Sequence, residues 1–174
     1  MTASIETPGW LSEQEQHAWR AYLRGSRLLE AGLDRDLQKH GLQLSEYEIL
    51  SMLSERDSRR LRMSELAALV VQSRSRLTHT AARLERHGWV RREPCAGDRR
   101  GVELVLTDEG YAEVTRIAPW HVASVRAHLV DQLSGPELTA LGRAMSSVGA
   151  AIQSTSECRE ATEAALPDAA LPAG

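Results

Sequence analysis

The chain contains no phenylalanine, and aromatic residues make up only 4% of its 174 positions. With 42% hydrophobic residues overall, its core has to come mainly from Leu, Ala, Val and Met, which favours helices. No apolar run reaches the ~20 residues of a membrane-spanning helix, and the first residues lack the charged-then-apolar pattern of an export signal. A cytoplasmic location is therefore expected. The two cysteines, Cys95 and Cys158, have no C-x-x-C spacing, and a reducing compartment disfavours a disulfide between them. The six histidines form no ligand pattern. His121 and His128 share a helical face but lie about 10 Å apart along the axis, too far for one ion. A glycine-rich phosphate loop and a G-x-S-x-G elbow are both missing. No cofactor, no metal and no catalytic activity are expected. Among the 21 basic residues only Lys39 is a lysine, so any basic surface is built from arginine.

That arginine is concentrated in one stretch. Residues 74–100 hold eight arginines against three acidic residues, a local excess of five in a chain of net charge −3. Such a patch is the electrostatic footprint of a nucleic-acid partner. Within it, Leu77, Ala81 and Leu84 recur at helical spacing and predict one apolar face. Ser73 is placed to cap the helix and Gly88 to end it. Ser73, Arg74, Ser75 and Arg76 fall at its start, and Thr78, His79 and Arg83 fall away from the apolar face. Arginine forks suit guanine edges, and short polar side chains reach phosphates or bases. The preceding segment, Met63 to Val71, predicts a shorter helix capped by Ser64, with Leu66, Leu69 and Val70 inward. Two helices joined by a tight turn near Gln72 have helix-turn-helix spacing.

A hairpin should follow. Trp89 to Pro94 predicts one strand, Cys95 to Gly101 a turn, and Val102 to Leu106 the return strand. The turn presents Asp98, Arg99 and Arg100, and an arginine tip suits a narrow minor groove. Cys95 reads as a small residue in an exposed turn.

From Leu50 to Gly110 the sequence resembles the winged-helix core of the MarR family of bacterial transcriptional regulators. The run Asp98-Arg-Arg-Gly-Val-Glu-Leu-Val-Leu-Thr107 carries the resemblance most specifically, matching that family's D-x-R wing signature, and the likeness extends over about residues 20–150. It implies a homodimer whose two winged helices enter the major groove of palindromic double-stranded DNA. Arg100 would enter the minor groove and Asp98 would hold the wing. Ser73, Ser75, Arg76, Thr78, His79 and Arg83 would lie at or near DNA. It also implies a crevice for a small phenolic or carboxylate effector. Trp19, Tyr22 and Arg24 on the first helix, with Tyr47 and Met52 on the second, are the candidates for it. A redox-sensing branch of the family carries its cysteine in the first helix, where this chain has none.

The remaining chain supplies a frame. The overall expectation is a mainly α fold with a small β-hairpin, a winged helix-turn-helix core flanked by long dimerisation helices. Residues 1–40 read as an N-terminal dimerisation helix after a short flexible arm. Its helix spans Leu11 to His40, with Ser12 and Glu15 as a capping box. Residues 44–106 form the DNA-binding domain, with a helix from Glu46 to Glu55 started by Ser45, and a charged loop from Arg56 to Arg62. Residues 107–153 read as C-terminal dimerisation helices. Pro119 should kink or split the first of these, and Pro136 should lie near the start of a last helix ending at Gln153. Residues 154–174 read as a disordered tail. The function expected is a ligand-responsive dimeric repressor. A winged-helix module that coats DNA without sequence preference, or serves as a protein-interaction scaffold, is the alternative.

Overall fold

The computed structural model describes residues 9–95 and 97–165, without the side chains of Arg99, Arg100 and residues 155–165. It divides into two compact units, 1–129 and 130–174. The predicted arm before residue 9 and the end of the predicted tail after residue 165 lie outside the described residues. Among those described, no helix is long and apolar enough to cross a membrane.

The first unit begins with α1, Glu13–Gln38. The Ser12–Glu15 capping box forms as expected, with the Glu15 carboxylate accepting from the Ser12 N–H at 2.7 Å. The second helix, α2, spans Leu44–Ser54 with Gln43 at the cap, two residues earlier than the expected start at Glu46 after Ser45. The Gln43 N–H is satisfied by Glu46 at 2.9 Å and the Leu44 N–H by Asp34 at 2.8 Å, so two donors at the helix start are satisfied upstream of Ser45. Next come β1, Arg60–Arg62, and α3, Met63–Leu69. Ser64 does not cap α3, because the chain turns from β1 directly into the helix at Met63 and Arg62 takes the cap position. Beyond α3 lie α4, Arg74–Arg86, and the strands β2, Val90–Cys95, and β3, Asp98–Leu106. The unit ends with α5, Asp108–His128.

The sheet has three strands in the order β1-β3-β2, all antiparallel, rather than a lone hairpin. Part of the expected charged loop is therefore β1. Leu61 faces the core opposite Leu104, while Arg60 and Arg62 face out. Asp98 to Gly101 belong to β3 instead of the turn. Ile49, Leu50, Leu53, Leu66, Leu77, Ala81, Leu84, Leu104 and Ile117 form the centre of the core, each at most 1% exposed. Leu69, expected inside, is exposed, and so is Tyr111 on α5. The Tyr111 ring instead carries the Arg59 guanidinium 3.7 Å from its centroid.

Helix α5 runs through Pro119 as one element, so the proline does not split it. Pro119 and Thr115, the residue whose carbonyl loses its donor, both lie on the exposed side, where water can satisfy that carbonyl. Helix α1 packs on α2 and α5 yet buries only Leu37 of its 26 residues. Trp19, Tyr22 and Leu28 stay exposed along it, as do Trp120 and Val122 on α5.

The second unit is a short 3-10 turn, Val130–Gln132, and α6, Gly135–Ala165. Ser134 opens α6, its N–H donating to Glu137 at 2.8 Å. The helix continues past the predicted end at Gln153 into the stretch read as a tail. Met145, Val148 and Ile152 are exposed along it.

Candidate nucleic-acid interface

The turn between α3 and α4 is tight. The Gln72 N–H bonds to the Ala67 carbonyl at 3.0 Å, and the Val71 N–H to Ala68 at 3.3 Å. This geometry puts Val71 at φ +50°, an unusual conformation for a β-branched residue. The Ser73 hydroxyl then caps α4 by accepting the Arg76 N–H at 3.3 Å. Leu77, Thr80, Ala81 and Leu84 are buried, which fixes the rotation of α4. Ser73, Arg74, Ser75, Arg76, Thr78 and His79 are consequently exposed together. Gly88, at φ +76°, ends the helix region as expected and turns the chain into β2.

Arg83 departs from this face. Its Nη1 donates to the Gln43 side-chain oxygen at 2.7 Å, and its Nε lies 3.1 Å from Glu46 Oε1. Glu46 is only 1% exposed. The Arg83 guanidinium thus turns onto α2 rather than standing with the other candidates, because a buried carboxylate draws a cationic partner.

The hairpin of β2 and β3 is locked to α4 by Arg92. Its Nη2 donates to the Thr78 carbonyl at 2.8 Å, its Nη1 lies 3.3 Å from Glu85, and its backbone N–H donates to Glu85 at 3.2 Å. Arg62 Nη1 donates to the Asp98 carboxylate at 3.2 Å, tying the start of β3 to β1. Gly97, at φ +79°, makes the turn, and a bulge falls between Pro94 and Cys95. Cys95 is buried rather than exposed, because the bulge packs its sulfur towards Gly101. Arg99 and Arg100 fall next to Asp98 in β3, with side chains outside the described set. Between the hairpin, the start of α3 and the exposed face of α4 lies a cleft of about 500 Å³. Arg62, Arg74, Arg92 and Thr78 line it, a set of donors suited to an anionic phosphate backbone.

The five effector candidates are not brought together. Trp19 and Tyr22 stack on each other, 6.1 Å apart, on an exposed face of α1, and Arg24 is also exposed. Tyr47 is a core residue packed on His121 at 4.3 Å. Only Met52 lines a groove, one of about 860 Å³ between α1, α2 and the helix-turn-helix. Arg27, Glu30, Glu48 and Gln72 line the same groove and were not anticipated; Arg76, expected near DNA, lines it as well. Their signal was Arg27, Glu30 and Asp34 recurring on one face of α1. Burial, reinforced by the charge of Glu30, pushes the Glu48 carboxyl above its ordinary 4.5. Among the described residues no group of three His, Cys, Asp or Glu side chains could hold a metal ion.

A family model described as "MarR family" matches residues 40–101, the span from the end of α1 to the wing. PecS, a transcriptional regulator of Dickeya dadantii, is 38% identical over 104 residues, 59% of this chain and 63% of PecS. The match thus spans just under two thirds of that relative's length. AbsC, a MarR family transcriptional regulator from Streptomyces coelicolor, superposes with a TM-score of 0.79 at 45% identity, over 84% of this chain and 99% of AbsC. The chain belongs to the MarR family of transcriptional regulators. A second MarR family regulator of that organism, Sco3205, has been solved in complex with DNA; it is 46% identical with a TM-score of 0.81, over 85% of this chain and 93% of Sco3205. This MarR-family chain has the family's winged-helix fold, with α3 and α4 as its helix-turn-helix and the β2–β3 hairpin as its wing.

Proposed function

We propose that the protein is a homodimeric repressor that reads a palindromic operator and leaves it on binding a small ligand. One observation carries the reading: α4 buries its apolar face and exposes Arg74, Ser75, Arg76, Thr78 and His79 together, with the wing fixed to it through Arg92. In this reading that face enters a major groove. Arg100, beside Asp98, enters the adjacent minor groove. That Sco3205, 46% identical, has been solved in complex with DNA supports DNA binding in this reading.

Dimerisation follows from α1 and α5, which leave Trp19, Tyr22, Leu28, Trp120 and Val122 exposed. A second copy would cover this surface and set the spacing of two recognition helices. The effector would occupy the groove between α1 and the helix-turn-helix. There Arg27 and Arg76 can pair with a carboxylate or phenolate, and Met52 and Val70 can pack on a ring. Occupation changes the distance between α1 and α4, which would shift affinity for DNA.

Light scattering and a footprint on the DNA upstream of the protein's own gene test this together. A dimer mass and a protected site with two-fold symmetry are expected. A monomer mass, or protection without a discrete site, overturns the repressor reading in favour of a non-specific coat or scaffold.

A further inference from the structure

We propose that the buried carboxylate of Glu46 and the half-exposed guanidinium of Arg83 form a pivot that sets the angle of α4 as the recognition helix. Arg83 is thus a positioning residue and makes no contact with DNA. This goes beyond the repressor reading but relies on the protein discriminating operator from other DNA.

Glu46 is almost fully buried and has two tasks. One carboxylate oxygen accepts the Gln43 N–H at 2.9 Å, completing the start of α2, and the other faces Arg83 Nε at 3.1 Å. Arg83 adds a second bond to α2 through the Gln43 side chain at 2.7 Å. The guanidinium therefore touches two side chains of one helix start at once, by a hydrogen bond from Nη1 to Gln43 and an ion pair from Nε to Glu46 Oε1, which has no hydrogen-bond partner of its own; the compact ammonium of lysine cannot span both. A buried carboxylate tolerates no loss of its partner, so α4 is held wherever Arg83 must be.

The pivot lies near the far end of α4 from the reading residues. Nine residues separate Arg74 from Arg83, about 13 Å along the axis. A tilt of about 5° at the pivot moves Arg74 by about 1 Å, enough to spoil contacts that need sub-ångström placement. The same helix start is tied to α1, since the Leu44 N–H donates to Asp34 at 2.8 Å. A continuous set of bonds thus runs from α1 through Gln43 and Glu46 to α4.

The test uses the full chain, at a temperature well below the melting point of every variant, on a DNA pair that the wild-type protein distinguishes. Absence of such discrimination in the wild type defeats the operator reading before any variant is made. Glu46→Gln and Arg83→Gln are each expected to lower operator affinity at least tenfold, with scrambled-DNA affinity within about twofold of wild type. The slope of log K against log salt should stay unchanged, whereas a lost phosphate contact lowers it by about 0.9. The double variant should be no worse than the weaker single one, and Arg83→Lys should fail to rescue. Should these variants not fold, Gln43→Ala removes one Arg83 bond without stranding a charge and should lower operator discrimination in the same way. A reduced salt slope in Arg83→Gln with normal binding by Glu46→Gln would place Arg83 on phosphate and overturn the proposal. A lower melting point with an unchanged operator-to-scrambled ratio would also overturn it, leaving the pair a purely structural one.

Discussion

Replacing Gly110 with alanine pits two effects of opposite sign against each other. Gly110 lies in the first turn of α5, where helix propensity alone predicts a gain of about 1 kcal/mol from alanine. The structure predicts a loss. A Cβ at Gly110 would stand 2.1 Å from the Trp89 carbonyl oxygen and 2.8 Å from the Leu106 side chain. The first of these is backbone and cannot rotate away. That carbonyl also accepts the Thr107 N–H at 3.0 Å, and the Thr107 hydroxyl donates to Gly88 at 2.7 Å, so the junction of α4, β2 and α5 is stitched together there. Overpacking costs about 1–3 kcal/mol or more, and loss of the Thr107 bond about 1 kcal/mol. Less the propensity gain, Gly110→Ala should cost about 1–3 kcal/mol, a fall in Tm of about 2–12 °C for a chain of this length. Calorimetry or thermal circular dichroism checks this. Gly25→Ala is the control: a Cβ there meets nothing within 4 Å, so propensity alone acts and Tm should rise. An unchanged or raised Tm in Gly110→Ala would refute the close-approach reasoning.

Val71→Gly should raise Tm by a few degrees, because the side chain is 91% exposed and its φ of +50° costs about 1 kcal/mol or more; a fall in Tm contradicts the turn geometry. Glu48→Gln should stabilise the protein at neutral pH. Its carboxyl is raised in the fold, so the native state holds the proton more tightly than the unfolded chain, and stability is lost as pH rises. The benefit should vanish in melts below pH 4.5, and a benefit independent of pH would point away from ionisation. Asp36 behaves oppositely. Lys39, Ser124 and His128 bond to it and hold its carboxyl well below the usual 3.8. Asp36→Asn should therefore destabilise at neutral pH, with the difference narrowing as pH falls through the acid range; equal melts at neutral pH would exclude the clamp. Arg100→Ala is expected to weaken operator binding at least tenfold with Tm within a few degrees of wild type, measured by anisotropy and melting. Intact binding would remove the wing from the mechanism.

Sequence legibility followed the range of the interactions involved. The Ser73 cap, the Leu77–Ala81–Leu84 face and the Gly88 terminus of α4 are local, and their signals lie within a few residues. The Ser12–Glu15 capping box is equally local. Strand β1 was not legible, because three residues with one buried leucine look like charged loop until β3 pairs with them. The pairing of Arg83 with α2 was not legible because Arg83 borders the buried face of α4, and its partner Glu46 lies 37 positions earlier in the chain. Tyr47 resembled a ligand-binding ring, yet its companion His121 comes from α5 and makes it core. The groove residues Arg27, Glu48 and Arg76 converge from three helices, and only tertiary packing brings them together.

The central claim is that one face of α4, with the wing beside it, reads specific DNA. Fluorescence anisotropy tests it most directly, comparing DNA upstream of the protein's own gene with a scrambled sequence of equal length over a salt series. The account predicts preference for the upstream DNA by about a thousandfold or more, with a salt slope reporting several phosphate contacts. Equal binding to both sequences at every salt concentration, or no binding even at low salt, would contradict it.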